Sequence, residues 1–134
     1  MSDTDLAIIV RSDNPESVYP AFILATTAAS MNMKVEMFFT FWGLRALLKG
    51  GAEYIEKKFR KQLEEEGMSF KGITPLKDLV NMAKSLENIK IYACSTTMDA
   101  MNISKNDLID DLPVIGAPTF LSKHGKSGAK IIVF

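Results

Sequence analysis

The run Val35 to Phe39, VEMFF, is apolar at Met37, Phe38 and Phe39 with no alternation of wet and dry positions. A strand of that kind must be covered on both sides, which is the situation inside a parallel sheet sandwiched between helices. Leu6 to Val10, LAIIV, is a second compact β-branched run, and Ile89 to Ala93 is a third. LPVIG supplies a short fourth strand, and Pro113 near its start places it at a sheet margin because proline cannot donate to a ladder. Ile131 to Phe134 closes the chain as a fifth strand.

Helical patterns separate these runs. Ser12, Asp13 or Asn14 can cap a helix with Pro15 in its first turn, and Asn32 ends that helix. In FWGLRALLKGG, Leu44, Leu47 and Leu48 lie at helical spacing before Gly50 and Gly51 stop the helix. The stretch 51–72 reads as a charged amphipathic helix and a possible insertion. Ile55, Phe59 and Leu63 line one narrow face, with Glu53–Lys57 and Glu56–Arg60 set up as pairs one turn apart. A further helix is expected from Thr74 to Leu86, with Thr74 as cap, Pro75 first, and Leu76, Leu79, Val80 and Ala83 facing the core. Alternation of strand and helix predicts one α/β domain over 1–134, a three-layer α/β/α arrangement around a mostly parallel five-stranded sheet.

With 134 residues, 47% of them apolar, one core is affordable by size alone. Sixteen basic and sixteen acidic side chains cancel, so no global field steers the chain onto nucleic acid or an anionic membrane. MSDTD carries acid where a secretory signal carries basic residues, which gives a cytoplasmic expectation. Ser17 to Met33, the least charged stretch, is interrupted by Pro20, Thr26, Thr27, Ser30 and Asn32, so membrane insertion is not expected. The single cysteine, Cys94, can form neither an internal disulfide nor a zinc cluster, and neither metal nor cofactor is expected.

Cys94 falls where the third strand gives way to STTMDAM, a helix beginning near Thr96 and running to Met101. In an open α/β sheet, chemistry gathers at the carboxyl ends of the strands. Backbone N–H groups at the helix start favour a thiolate over a thiol. Ser95, Thr96 and Thr97 can donate hydroxyl hydrogen bonds to a thiolate or persulfide, whereas Asp99 opposes ionisation if it points back. The competing reading is a buried cysteine acting as a small hydrophobe. Thr40, Trp42 and Gly43 follow the second strand at the same sheet edge. Trp42 can wall the sulfur site or serve with Phe41 as a core or interface aromatic, and Gly43 can let backbone approach a ligand. Ser12, Asp13 and Asn14 reach the same edge, and Met98 and Met101 give soft apolar cover.

Spacing excludes several thiol chemistries. A phosphatase loop needs arginine six positions after its cysteine, where this chain has Ala100, and a thioredoxin motif needs cysteine at Thr97. His124, the only histidine, sits in the polar segment SKHGKSG and reads as a solvated loop residue rather than a partner of Cys94. The glycines of KHGKSG lack the pattern of a phosphate loop.

YACSTTMDAMNI, FFTFWGLRALLK and the ending GAPTFLSKHGKSGAKIIVF together resemble the DsrE/DsrF-like family over most of the chain, 51–72 excepted. The resemblance implies a parallel-sheet α/β fold and a homo-oligomer. It also implies that Cys94 accepts sulfane sulfur and passes it as a persulfide to a sulfur-carrier or rhodanese-like protein. Peroxidase chemistry would need a resolving thiol from outside the chain. Two other readings stand beside the relay: a non-catalytic oligomeric binding module, and a redox sensor in which Cys94 forms an intersubunit disulfide.

Overall fold

The computed structural model describes residues 4–124 and 128–134. Strands β1 (Leu6–Val10), β2 (Val35–Phe39), β3 (Ile89–Cys94), β4 (Val114–Ile115) and β5 (Lys130–Val133) form one sheet in the order β4-β3-β2-β1-β5. Every pairing in it is parallel. The short β4, preceded by Pro113, is a margin strand as expected.

The connecting helices are α1 (Pro15–Ser30), α2 (Gly51–Glu65), α3 (Leu76–Ser85), α4 (Ser95–Ala100) and α5 (Ala117–His124). The chain steps from β1 through β4 in one direction across the sheet, then returns past β1 to place β5 at the opposite margin. Right-handed crossovers put helices of the outward path on one face and send the helix of the return path to the other. Accordingly α1 and α3 pack on the face carrying Ile8, Met37 and Ile91, whereas Phe120 of α5 packs on the face carrying Ala7, Phe38, Tyr92 and Cys94. Helices therefore lie on both sides, but unequally. Eight residues of α1 are buried against two of α5, Phe120 and His124. On the thicker face Phe22 stacks on Phe39 at 5.4 Å, and burying each such ring contributes about 1.5–3 kcal/mol.

Local chemistry departs from the sequence expectation in several places. Asn14 occupies the cap position of α1 without a side-chain cap bond. Asp13 instead pairs with Arg45 at 2.8 Å and Lys58 at 3.6 Å. Phe41–Leu47 winds as a 3₁₀ segment rather than an α-helix. Gly50, with φ +78, makes the turn that Gly51 follows as the first residue of α2, so the glycines start the next helix as well as ending the last segment. A Cβ on Gly51 would fall 1.7 Å from the Arg45 carbonyl oxygen. Helix α2 is tied into the body of the domain. Ile55 is buried, Phe59 lies 5.2 Å from Tyr19, and the Glu56 carboxylate accepts the Leu76 amide at 2.8 Å, capping α3. The Glu56–Arg60 pair forms at 3.0 Å, whereas Glu53 reaches Lys77 at 3.8 Å instead of Lys57. Helix α3 begins at Leu76, with Pro75 rather than Thr74 at the cap.

The largest correction concerns His124. It is not a solvated loop residue but the buried last residue of α5, 1% exposed, with Nε2 3.3 Å from Glu36 and its ring 4.7 Å from Phe120. Gly125 to Ser127 of the polar segment lie outside the described residues. None of the described helices is long and apolar enough to cross a membrane.

Glu36 is a carboxylate in the middle of an otherwise apolar strand. It accepts hydrogen bonds from the Thr4 hydroxyl and from Lys123 Nζ at 3.0 Å, and Lys123 also donates to the Tyr92 hydroxyl at 3.0 Å. Burial alone would raise its pKa. The bonds from Thr4, Lys123 and Tyr92 and the Lys123 charge outweigh burial and bring it down from 4.5 to about 2. A carboxyl whose folded pKa lies below its unfolded value stabilises the fold above that unfolded value and loses its contribution as pH falls. Wild type should therefore lose stability between pH 4.5 and about 2, by on the order of 3 kcal/mol from this group. In Glu36→Gln the acid limb of the denaturation midpoint should be flatter by that amount. Parallel acid limbs for the two proteins would contradict the assignment.

Candidate functional site

Cys94 ends β3 and occupies the cap position of α4, with an extended backbone at φ −78, ψ 119. Its neighbour across the sheet is Ile115 of β4, and its side chain lies on the thinly covered face with Phe38, Tyr92 and Phe120. The residue is 3% exposed.

Four donors surround the sulfur. Burial pushes the thiol pKa up, but the hydroxyls of Thr40 and Thr97 and the amides of Thr97 and Thr96 outweigh it, and the net shift is downward. Both amides belong to the first turn of α4. Helix α4 has six residues, so individual donors rather than a long helix dipole carry the effect.

Thr97 is the hub of this arrangement. Its buried Oγ1 accepts the Phe41 amide at 2.8 Å and lies 3.1 Å from the Thr40 hydroxyl, joining the end of β2 to α4 across the sulfur. Phe41 is held at φ +49, a left-handed conformation that a bulky side chain adopts only under constraint, at a cost of about 1–3 kcal/mol. Its bond to Thr97 supplies part of that constraint. The side chain is thereby turned outward, 64% exposed.

The sequence-derived candidates separate into two sets. Cys94, Thr97 and Thr40 come together directly, and Thr96 joins them through its backbone amide rather than its exposed hydroxyl. Ser95 turns toward the chain entering α5, where its Oγ lies 3.4 Å from the position a Cβ on Gly116 would take. Gly43 is needed for an approach inside the fold, because a Cβ there would fall 2.2 Å from the Val10 carbonyl oxygen. Trp42 is exposed and lines a separate surface cavity of about 390 Å³ with Phe41, Arg45, Leu48, Met101 and Ile103, a lining that does not include Cys94. Arg45 stacks over Trp42 at 5.8 Å and over Tyr54 at 4.6 Å. Asp99 is exposed, while Met98 is buried in the thicker core.

Glu36, Tyr92 and Lys123 were not singled out by the sequence reasoning. The available signal was a carboxylate inside VEMFF, since a charge in a buried strand needs partners.

The profile of the DsrE/DsrF/DrsH-like family matches residues 2–65 and 53–132, and the chain belongs to that family. It is 28% identical to the sulfur carrier protein DsrE2 of Allochromatium vinosum, over 95% of this chain and 96% of that one. It is 26% identical to YrkE of Bacillus subtilis over 94% of each. Among solved structures, the ychN protein from E. coli superposes with a TM-score of 0.67 at 18% identity, over 98% of this chain and 100% of the other, which establishes likeness of fold.

If Thr97 holds both the sulfur and Phe41, removing its hydroxyl at constant shape should be felt at both. In Thr97→Val the midpoint of the pH–rate profile for Cys94 alkylation should move up, and stability should fall by about 1–2 kcal/mol as the Phe41 amide loses its acceptor. An unchanged midpoint would remove Thr97 from the sulfur site.

Proposed function

We propose that this member of the DsrE/DsrF/DrsH-like family relays sulfane sulfur through a persulfide on Cys94. The observation that carries the reading is a lone cysteine whose sulfur, although buried, is set among two hydroxyls and two amides that favour its anion. Its likeness to a protein named as a sulfur carrier adds support.

The chemistry asks for no redox partner. The Cys94 thiolate attacks the outer sulfur of a donor persulfide, a new S–S bond forms as the donor's breaks, and the donor leaves as a thiolate. The thiolate of an acceptor then attacks the outer sulfur now on Cys94 and returns Cys94 as thiolate. Each transfer makes one S–S bond and breaks one, so the sulfane sulfur moves with no net oxidation. The hydroxyls of Thr40 and Thr97 that favour the thiolate also suit the anionic terminal sulfur of the persulfide.

Donor and acceptor on this reading are proteins with reactive thiols, of the sulfur-carrier or rhodanese-like kind, in a reducing cytoplasm where a lone thiol stays free. A homo-oligomer belongs to the same proposal. β5 ends the sheet with Ile131, Ile132 and Val133 each more than a third exposed, an apolar margin suited to a second copy.

Incubation with a sulfane donor, followed by intact mass spectrometry, should add the mass of one sulfur atom to wild type, and dithiothreitol should remove it. Cys94→Ser should gain nothing. Wild type that stays unmodified while a known persulfide carrier in the same tube is loaded would refute the relay.

A further inference from the structure

Cys94 is buried at 3% exposure, whereas sulfur transfer needs two sulfurs in contact. On the face of the sheet where its side chain lies, the cover is α5. That helix starts beside the cysteine, where Gly116 abuts Ser95, and ends over Glu36. Between those points Phe120 stacks on Phe38 with ring centroids 4.7 Å apart and planes 18° from parallel.

Two features make α5 readily separable from the sheet. It buries two residues, as the shorter α4 does, where α2 buries three, α3 four and α1 eight. Its attachment is also polar at one end, through Lys123 to Glu36 at 3.0 Å, Lys123 to the Tyr92 hydroxyl at 3.0 Å and His124 to Glu36 at 3.3 Å. Segments with few buried apolar contacts open locally at lower free energy than the rest of a domain. Polar bonds of this kind can be exchanged for water on opening, which a larger apolar seam cannot do.

We propose that α5 is a lid over Cys94, latched to the sheet by the Lys123–Glu36–Tyr92 cluster and by the Phe120–Phe38 stack, and that its release admits the sulfur donor and acceptor. The inference rests on Cys94 being the reacting sulfur. Glu36 and Lys123 act on that sulfur only through the lid, as positioning residues. With α5 seated, a persulfide is sheltered from water and stray oxidants. With α5 lifted, the strand end and the hydroxyls of Thr40 and Thr97 face the solution.

The test is the rate of Cys94 alkylation by a maleimide, measured alongside global stability on the full chain. Phe120→Ala and Lys123→Met should each raise the rate about fivefold or more beyond what their loss of global stability requires. Val80→Ala, which thins the core on the opposite face, should raise it only as far as its loss of global stability requires. The lid is overturned if both α5 variants react at the wild-type rate, or if Val80→Ala accelerates the reaction as much as they do at matched stability. Alkylation involves no sulfur transfer. A failed lid therefore leaves the persulfide assay unaffected, and a chain that takes up no sulfur leaves the lid result unaffected.

Discussion

Right-handed crossovers set the character of this sheet before any side chain is considered. A chain that walks from β1 to β4 and then returns past β1 places its outward helices on one face and the return helix on the other. The outward path has α1 and α3 to lay against Ile8, Met37 and Ile91, and that face is a conventional apolar core. The return path has eight residues of helix to cover the face with Ala7, Phe38, Tyr92 and Cys94. The Glu36 cluster and the cysteine both lie on this thinner side. There a buried carboxylate survives because Thr4, Lys123 and Tyr92 compensate its desolvation.

The sulfur site follows the same logic of burial answered by donors. An apolar surrounding opposes the thiolate, and Thr40, Thr97 and two amides reverse that opposition. Thr97 cannot serve the sulfur alone, because its oxygen also takes the Phe41 amide and faces the Thr40 hydroxyl. The sulfur is thus linked through one hydroxyl to a residue in a left-handed backbone conformation, whose aromatic ring is presented to solvent beside Trp42.

Much of this was legible in the residues. Continuous apolar runs gave the parallel sheet, Pro113 gave its margin, and the position of Cys94 after a strand gave the site its place at a carboxyl end. Thr40 and Thr97 were recognisable as neighbours of the sulfur because both follow strand ends at one sheet edge. Helix α5 was not legible. Its buried residues are one phenylalanine and one histidine a single turn apart, too little for a periodic signal, and histidine next to lysine and glycine reads as polar. Gly43 was legible as a close approach but not for what approaches, since the Val10 carbonyl comes near only when the sheet is assembled. The pairing of Asp13 with Arg45 and Lys58, in place of a helix cap, likewise depends on tertiary contacts.

The account depends on negative sulfur being favoured at Cys94 in the folded chain. Labelling the single cysteine with ¹³C at Cβ and following its chemical shift with pH, in the native chain and again in urea, compares the folded thiol with its own unfolded reference. The account predicts a native midpoint clearly below the unfolded one. A native midpoint equal to or above the unfolded value would mean that burial prevails over the hydroxyls and amides, and the sulfur would then be packing rather than chemistry.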